Sequence, residues 1–416
     1  MLGFHKWKAP FAALALLAAG TTFARADDPG KLLVIPLYGQ ETSVWCWDAA
    51  SLMVIKYFRP SSTLTQCEIA TQGTPGQTCC TTPTPAPCVH TGWEMLSANG
   101  FTFSTSLTAL PFADLVGQIA INKPVMYAVG WTGGGGHMMV ADGWFVFANV
   151  NFVQVNNPWP PNVGTQEFQT YDYWVGGPWY DHITWANFYN IVDTQKPKFT
   201  FKIPNFKIAR RWPPIPQPDP ERFRLPINPE IPRLALERLD QFRKAPPEIA
   251  RRLGFLSSQE AGRATLGTPL REFVVPAEAL VEYSPNRPAA SLLTGGESFF
   301  YPVVAGNELR SSIRIAPGRE GKPEVIAIGD AGSASHLNRL EGIGPSLRQR
   351  SDVGLPAVRV PALGLLFVAR FQGKALEIAP IFDVPTLGLK AGRFEDAGQV
   401  FIRLGPFLKN NLKGVM

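Results

Sequence analysis

Gln40-Glu41-Thr42-Ser43-Val44-Trp45-Cys46-Trp47 is the stretch around which the rest of the chain can be organised. It opens a segment, Glu41 to Tyr57, whose apolar residues Val44, Trp45, Ala49, Leu52, Met53 and Ile55 recur near helical spacing. Cys46 therefore stands at the start of a predicted helix, where backbone N–H groups and the helix dipole stabilise a thiolate and lower the thiol pKa. The five cysteines, Cys46, Cys67, Cys79, Cys80 and Cys88, all lie in the first quarter of the chain. Five is odd, and Cys46 stands apart from the cluster of four, which is enough for two disulfides. A bond between neighbours Cys79 and Cys80 closes a strained ring. Two pairings stay open: Cys67–Cys79 with Cys80–Cys88, or Cys67–Cys80 with Cys79–Cys88. A zinc site on these cysteines and His90 is the rival reading, and it lacks the CxxC spacing.

A thiolate is the nucleophile that acyl transfer needs, and it also needs a base, a group that orients the base, and an oxyanion donor. Gln40, six residues before Cys46, can present its side-chain N–H to an oxyanion formed at the sulfur. His137 emerges from the run Gly133-Gly134-Gly135-Gly136 onto a predicted strand, His137 to Trp144, and glycines let the backbone and a substrate chain pass close to an imidazole. Asn157 follows the next predicted strand, Phe152 to Val155, and is placed to accept the imidazole Nδ1–H. His90 and His182 are rival bases. Asp142 is a rival orienter, but five residues on from His137 along a strand it faces the other way. A single buried Cys is usually a small core hydrophobe, and a lone His is usually structural. It is Gln40, Cys46, Trp47 and His137 occurring together, in that order, that favours catalysis. The aromatics between 168 and 189 read mainly as core, some of them as walls of an apolar cleft.

On these residues the chain resembles the papain-like cysteine peptidases. Gln40 to Trp47 looks like their oxyanion glutamine, gap, nucleophile and following Trp, and Asn157-Pro158-Trp159 like their Asn-x-Trp, in which the Trp shields the His–Asn bond from water. The closer likeness is to compact bacterial members, the double-glycine leader peptidases and the papain-like effector peptidases of plant pathogens. These share a Gln…Trp-Cys-Trp start, a run from a Gly-rich loop into His137-Met138-Met139-Val140-Ala141-Asp142-Gly143-Trp144, and an Asp/Asn-Pro after the next strand. The likeness covers roughly residues 31–195. It implies Cys46 as nucleophile, His137 as base, Asn157 as orienter and Gln40 as oxyanion donor, with Trp47, Gly136 and Trp159 at the cleft or shielding it. It also implies an α+β fold, a helix carrying the Cys and an antiparallel sheet carrying the His and Asn, with a peptide or protein substrate, no cofactor and no metal. The Cys-Gly-Ser/Ala-Cys-Trp form of the plant enzymes is absent. Many compact members carry Asp as the third residue, so Asn156 and Asn157 both remain candidates, the Trp159 spacing favouring Asn157.

Outward from this region, the N-terminus reads as an export signal over residues 1–26. His5-Lys6-Trp7-Lys8 is basic, Phe11 to Gly20 is a short apolar run, and Ala24-Arg25-Ala26 fits the small-x-small cleavage pattern. A chain starting near Asp27 works in an oxidising space, a bacterial periplasm or the exterior, where disulfides persist. Residues 27–200 form the predicted peptidase domain. Residues 201–232, with Pro213-Pro214, Pro216, Pro218 and Pro220, read as a semi-rigid linker. Residues 233–416 read as a second α+β domain of unknown role, with strands at 298–304, 310–315, 324–328, 365–371 and 375–381 and turns at Gly306-Asn307 and Gln372-Gly373.

Charge divides along the same line. Residues 1–200 carry 9 Lys+Arg and 12 Asp+Glu, and the rest carry 30 and 21, so the net +6 arises entirely from the second half. Its basic residues are scattered and form no nucleic-acid stripe, although the opposite charge favours docking on the first half. No apolar run reaches the roughly 20 residues of a membrane span. The reading is an exported cysteine endopeptidase. The alternatives are a papain-like amidase or transferase on cell-wall peptides, using the same triad, and a degenerate envelope-binding module.

Overall fold

The computed structural model describes residues 30–147, 149–195, 227–318, 320–349, 354–373 and 375–411. The predicted export signal and residues 201–226 of the predicted linker lie outside them. The fold is mixed helix and sheet, mostly antiparallel. The first half contributes β1 (Gly30–Leu32), α1 (Cys46–Phe58), α2 (Gln66–Gly73), β2 (Phe101–Ser106), α3 (Phe112–Ala120), β3 (Val125–Trp131), β4 (Gly136–Phe147), β5 (Val150–Asn157), β6 (Thr165–Thr170), α4 (Tyr171–Val175) and β7 (His182–Asp193). The second half opens with α5 (Glu230–Arg243) and continues with β8 (Thr265–Leu266), β9 (Leu270–Val274), β10 (Thr294–Ala305), β11 (Glu308–Pro317), β12 (Pro323–Ile328), β13 (Leu355–Val360), β14 (Leu365–Gln372), β15 (Ala375–Pro380) and β16 (Glu395–Asp396).

Among the described residues the strands form one sheet, in the order β16-β15-β14-β13-β9-β10-β11-β12-β6-β5-β4-β3-β7-β2, with β1 on β4 and β8 on β10. The halves join where β12 pairs antiparallel with β6, Ala327 opposite Gln169 and Ile328 opposite Phe168. Only β13 and β9 pair in parallel among these strands. A shared core seals the seam: Phe145, Phe152 and Phe168 of the first half pack with Phe242, Phe299 and Ile313 of the second.

α1 explains why β3 and β4 read as continuous apolar strands. Every residue of α1 from Trp47 to Ile55 is buried, which small residues at Ala49, Ala50 and Ser51 allow. One face of the sheet meets this helix through Met126, Ala128, Met138 and Val140. The other meets Leu115 of α3 and Trp174 of α4 through Tyr127, Val129 and Met139. Strands covered on both faces lose the period-2 alternation of a half-solvated sheet. Ser51 Oγ donates to the Trp47 carbonyl (2.7 Å) and accepts the Met95 N–H (3.0 Å), tying the helix to the following loop.

The loop after α2 is stapled by Cys67–Cys80 and Cys79–Cys88, one of the two pairings left open by the sequence, and Cys46 keeps its thiol. Elsewhere the observed elements differ from expectation in detail. Before β2 only a 3-10 turn, Ser97–Asn99, forms, and Trp93 stacks on Trp185. α5 begins at Glu230, inside the stretch read as linker, because Pro232 falls in the first turn, where its missing N–H has no partner to lose.

Candidate active site

No side chain caps the N-terminus of α1; the N-cap position is Trp45. The first N–H groups of the helix are therefore left over, and those of Cys46 and Trp47 reach the Cys46 sulfur. So does the N–H of Met138, across from the helix on β4. The sulfur thus lies against the peptide that joins His137 to Met138.

His137 enters β4 directly opposite Val129 on β3. The connection is tight: Trp131 N donates to the Gly135 carbonyl and Gly134 N to the Trp131 carbonyl, both at 3.0 Å. Gly134 and Gly135 take φ of +83° and +80°, which side chains resist. The His137 Nε2 meets Asn157 Oδ1 at 2.7 Å. The sequence reading had assigned this bond to Nδ1. With Nε2 engaged, Nδ1 is the ring nitrogen that can take a proton from the thiol. Asn157 Oδ1 also accepts the Trp159 N–H at 2.9 Å. Asn156, the other candidate, is engaged elsewhere: its Nδ2 donates to the Ile35 carbonyl (3.3 Å) and its Oδ1 accepts from Gln166 (2.7 Å).

Cys46, Trp47, Trp131, Gly136, His137, Asn157 and Trp159 line one cavity of about 190 Å³. Residues 24–172 match the family model of the papain-like cysteine protease AvrRpt2. This stretch is similar to the papain-like cysteine peptidases. The match spans Cys46, His137 and Asn157 and stops short of β7 and of the whole second half. No curated protein matches the chain.

Other site residues of this papain-like unit sit differently from the sequence reading. Gln40 is buried but does not line the cavity. Its backbone N donates to the Pro158 carbonyl (2.9 Å), and its side-chain Nε2 to the Thr42 carbonyl (2.8 Å). The Trp159 ring is engaged with the second half of the chain. Its Nε1 donates to the Gly364 carbonyl in the second half, and its ring packs edge-on against Phe382 (5.7 Å). The ring stacked on His137 is Trp131, at 6.3 Å and 27°. The sequence reading does not single out this residue. The signal was the hairpin itself: Trp131 follows Val129 by two residues, so it falls on the face that carries His137. The rivals are accounted for. His90 contacts Thr74 and Thr91 and stacks on Trp47. His182 pairs with Asp181 (2.9 Å). Asp142 accepts from Gln154 (3.1 Å).

Burial dominates the electrostatics. It pushes the Cys46 thiol up to about 12, against the three N–H groups that favour the thiolate, with the Asp48 charge adding to the rise. The expected lowering at a helix start is present but outweighed. Burial likewise lowers His137 to about 4; the Asn157 bond opposes this and the nearby Arg359 charge assists it. In this arrangement the pair is a neutral thiol and a neutral imidazole.

Behind the site the cavity has a charged floor. Arg314 pairs with Glu272 (3.0 Å), and Arg359 with Asp181 (2.7 Å). Asp181 is held far below the ordinary carboxylate range: burial would raise it, but the His182 hydrogen bond and Arg359 prevail. Glu167 rises to about 7 through burial and the Asp330 charge. No group of His, Cys, Asp and Glu able to hold a metal occurs among the described residues.

Proposed function

We propose that the protein is an exported cysteine endopeptidase that hydrolyses peptide bonds through Cys46, His137 and Asn157. The observation that carries the reading is the Cys46 sulfur lying against the His137–Met138 peptide while the His137 Nε2 is fixed by Asn157 at 2.7 Å. His137 Nδ1 takes the thiol proton as the sulfur attacks the substrate carbonyl carbon. The tetrahedral oxyanion is met by the Cys46 backbone N–H at the start of α1; Gln40 joins it only when its amide leaves the Thr42 carbonyl. The imidazolium then gives its proton to the leaving amine nitrogen, the C–N bond breaks, and a thioester on Cys46 remains. Water, deprotonated by the same imidazole, attacks the thioester, and the thiol and a carboxylic acid are released. Asn157 keeps the ring oriented through both transfers.

Export is supported by the two disulfides, which persist in oxidising compartments, and by the basic-apolar-small pattern of residues 1–26. The domain limits 27–200 and 233–416 belong to the same proposal, the opposite charges of the halves being consistent with their docking.

The test is hydrolysis of a small activated ester by the full chain beside Cys46→Ser. The variant is expected to fold as the wild type and to lose at least about a thousandfold in turnover, the scale on which a removed nucleophile acts. Unchanged turnover in a folded Cys46→Ser chain refutes the reading.

A further inference from the structure

On the peptidase reading above, we infer that Pro361–Gly364, the connection between β13 and β14, is a built-in plug that holds the enzyme latent by closing the cleft over Cys46 and His137. The segment touches both rims. On the helix side, the bare backbone of Gly364 lies so close that a Cβ there would sit 3.4 Å from the Ser43 carbonyl oxygen and 3.3 Å from Trp159 Cδ1. The Gly364 carbonyl also accepts the Trp159 Nε1–H. On the sheet side, Ala362 is packed against the glycine loop, where a Cβ on Gly135 would fall 2.7 Å from its Cα. The same loop is held a second time, by the Ala277 N–H donating to the Gly133 carbonyl at 2.7 Å. Next to the base, and just before the segment on β13, the Arg359 guanidinium sits 5.4 Å from the Trp131 ring that stacks on His137, and pairs with Asp181.

An extended substrate of four residues spans up to roughly 14 Å, and to reach Cys46 it must run between Ser43 and the glycine loop. Ala362 and Gly364 occupy that line. The remaining space, about 190 Å³, falls below the roughly 300–1,000 Å³ of ordinary ligand pockets. The plug lies on a connection, so it can lift while the β6–β12 seam and its aromatic core stay paired.

The decisive comparison uses the full chain, its disulfides intact, and two variants that crowd the plug: Ala362→Asp, which brings a charge to the glycine loop, and Gly364→Val, whose side chain meets Ser43 and Trp159. Thermal melting checks that each folds. The measurements are hydrolysis of denatured casein and of a small activated ester, with iodoacetamide labelling of Cys46 at neutral pH. The expected result is casein hydrolysis faster by roughly tenfold or more in the variants, the effect of losing about one docking hydrogen bond, with faster labelling of Cys46. Folded variants that cleave casein no faster than wild type, or only with a raised KM, overturn the plug and make the segment a wall of the substrate site. The wild type gives a check that needs no substitution: casein cleaved as efficiently as the small ester also overturns it. If no chain cleaves either substrate, and Cys46 in the folded variants labels no faster than free cysteine, the peptidase reading itself fails and the plug with it.

Discussion

Replacing Asn157 by Ala removes one acceptor from two donors at once: His137 Nε2 at 2.7 Å and the Trp159 N–H at 2.9 Å. The first loss acts on chemistry. A hydrogen bond to a group that becomes charged is worth roughly 1.5–3 kcal/mol, and His137 is charged only between proton transfers, so the loss falls on the transition state rather than on substrate binding. At about 1.4 kcal/mol per decade, kcat/KM should drop roughly 10- to 150-fold, with KM little changed. The second loss acts on stability, at about 1 kcal/mol for one neutral bond. The two are separated by measuring ester hydrolysis across pH beside urea unfolding. The Asn157 bond favours the charged ring, so the His137 pKa should fall further in the variant. Asn157→Asp, which keeps an acceptor, should recover most of the rate. A folded Asn157→Ala chain with kcat/KM within twofold of wild type refutes the orienting role, and an Asp variant as slow as the Ala variant refutes the hydrogen-bond argument behind it.

Three further outcomes are expected. Burial first, and Asp330 second, raise Glu167 to about 7. The folded state thus binds a proton that the unfolded chain, near its ordinary 4.3, has already lost. Stability contributed by this group is therefore lost as pH rises from about 4 through 7; Glu167→Gln should flatten that part of the curve in urea titrations, and an unchanged slope would dismiss the cause. Cys79→Ala with Cys88→Ala opens a loop of sequence separation 9, which by loop-closure entropy should cost about 3 kcal/mol of unfolding free energy; a loss under 1 kcal/mol would mean the stapled loop contributes little to the fold. Trp131→Ala uncovers His137, whose pKa is lowered first by burial; the His137 pKa, followed by NMR titration of its ring protons, should move up from about 4 toward the ordinary 6.5, and an unmoved titration would rule burial out as the cause.

The sequence showed the catalytic stretch more clearly than its surroundings. The strands expected at His137 to Trp144 and Phe152 to Val155 fall inside the observed, longer β4 and β5, because each carries a continuous apolar run. The Gly306-Asn307 turn falls between paired strands as expected, with Ala305 opposite Glu308, whereas Gln372, read as a turn residue, is the last residue of β14 and lies opposite Ala375. The Cys, His and Asn sit on the predicted kinds of element because a helix start, a glycine-loop exit and a strand end are local features. What was not legible is non-local. Nothing local to β6 or β12 announces that they pair with each other across the long stretch of chain between them. Trp159 was read from its spacing to Asn157, but its Nε1 goes to the Gly364 carbonyl, 205 residues away. The thiol pKa was read from the helix start alone, without the burial that surrounds it.

That burial links the chemistry to the architecture of the second half. One cause moves both members of the proposed catalytic pair, and in opposite senses: the Cys46 thiol goes up to about 12 and the His137 imidazole down to about 4, so neither exchanges its proton near neutrality. The N–H groups that favour a thiolate are already in place, from Cys46, Trp47 and Met138, and so is the Asn157 oxygen that favours an imidazolium. These groups are fixed by α1, β4 and β5, all within the first half, whereas the cover comes partly from Arg359 and the plug beyond it. Lifting the plug would admit water and weaken the largest opposing cause while leaving every favourable partner where it stands. On this argument the second half sets the protonation state of a site whose reactive groups it does not supply, and an enzyme of this design would need no rearrangement of its triad to become active.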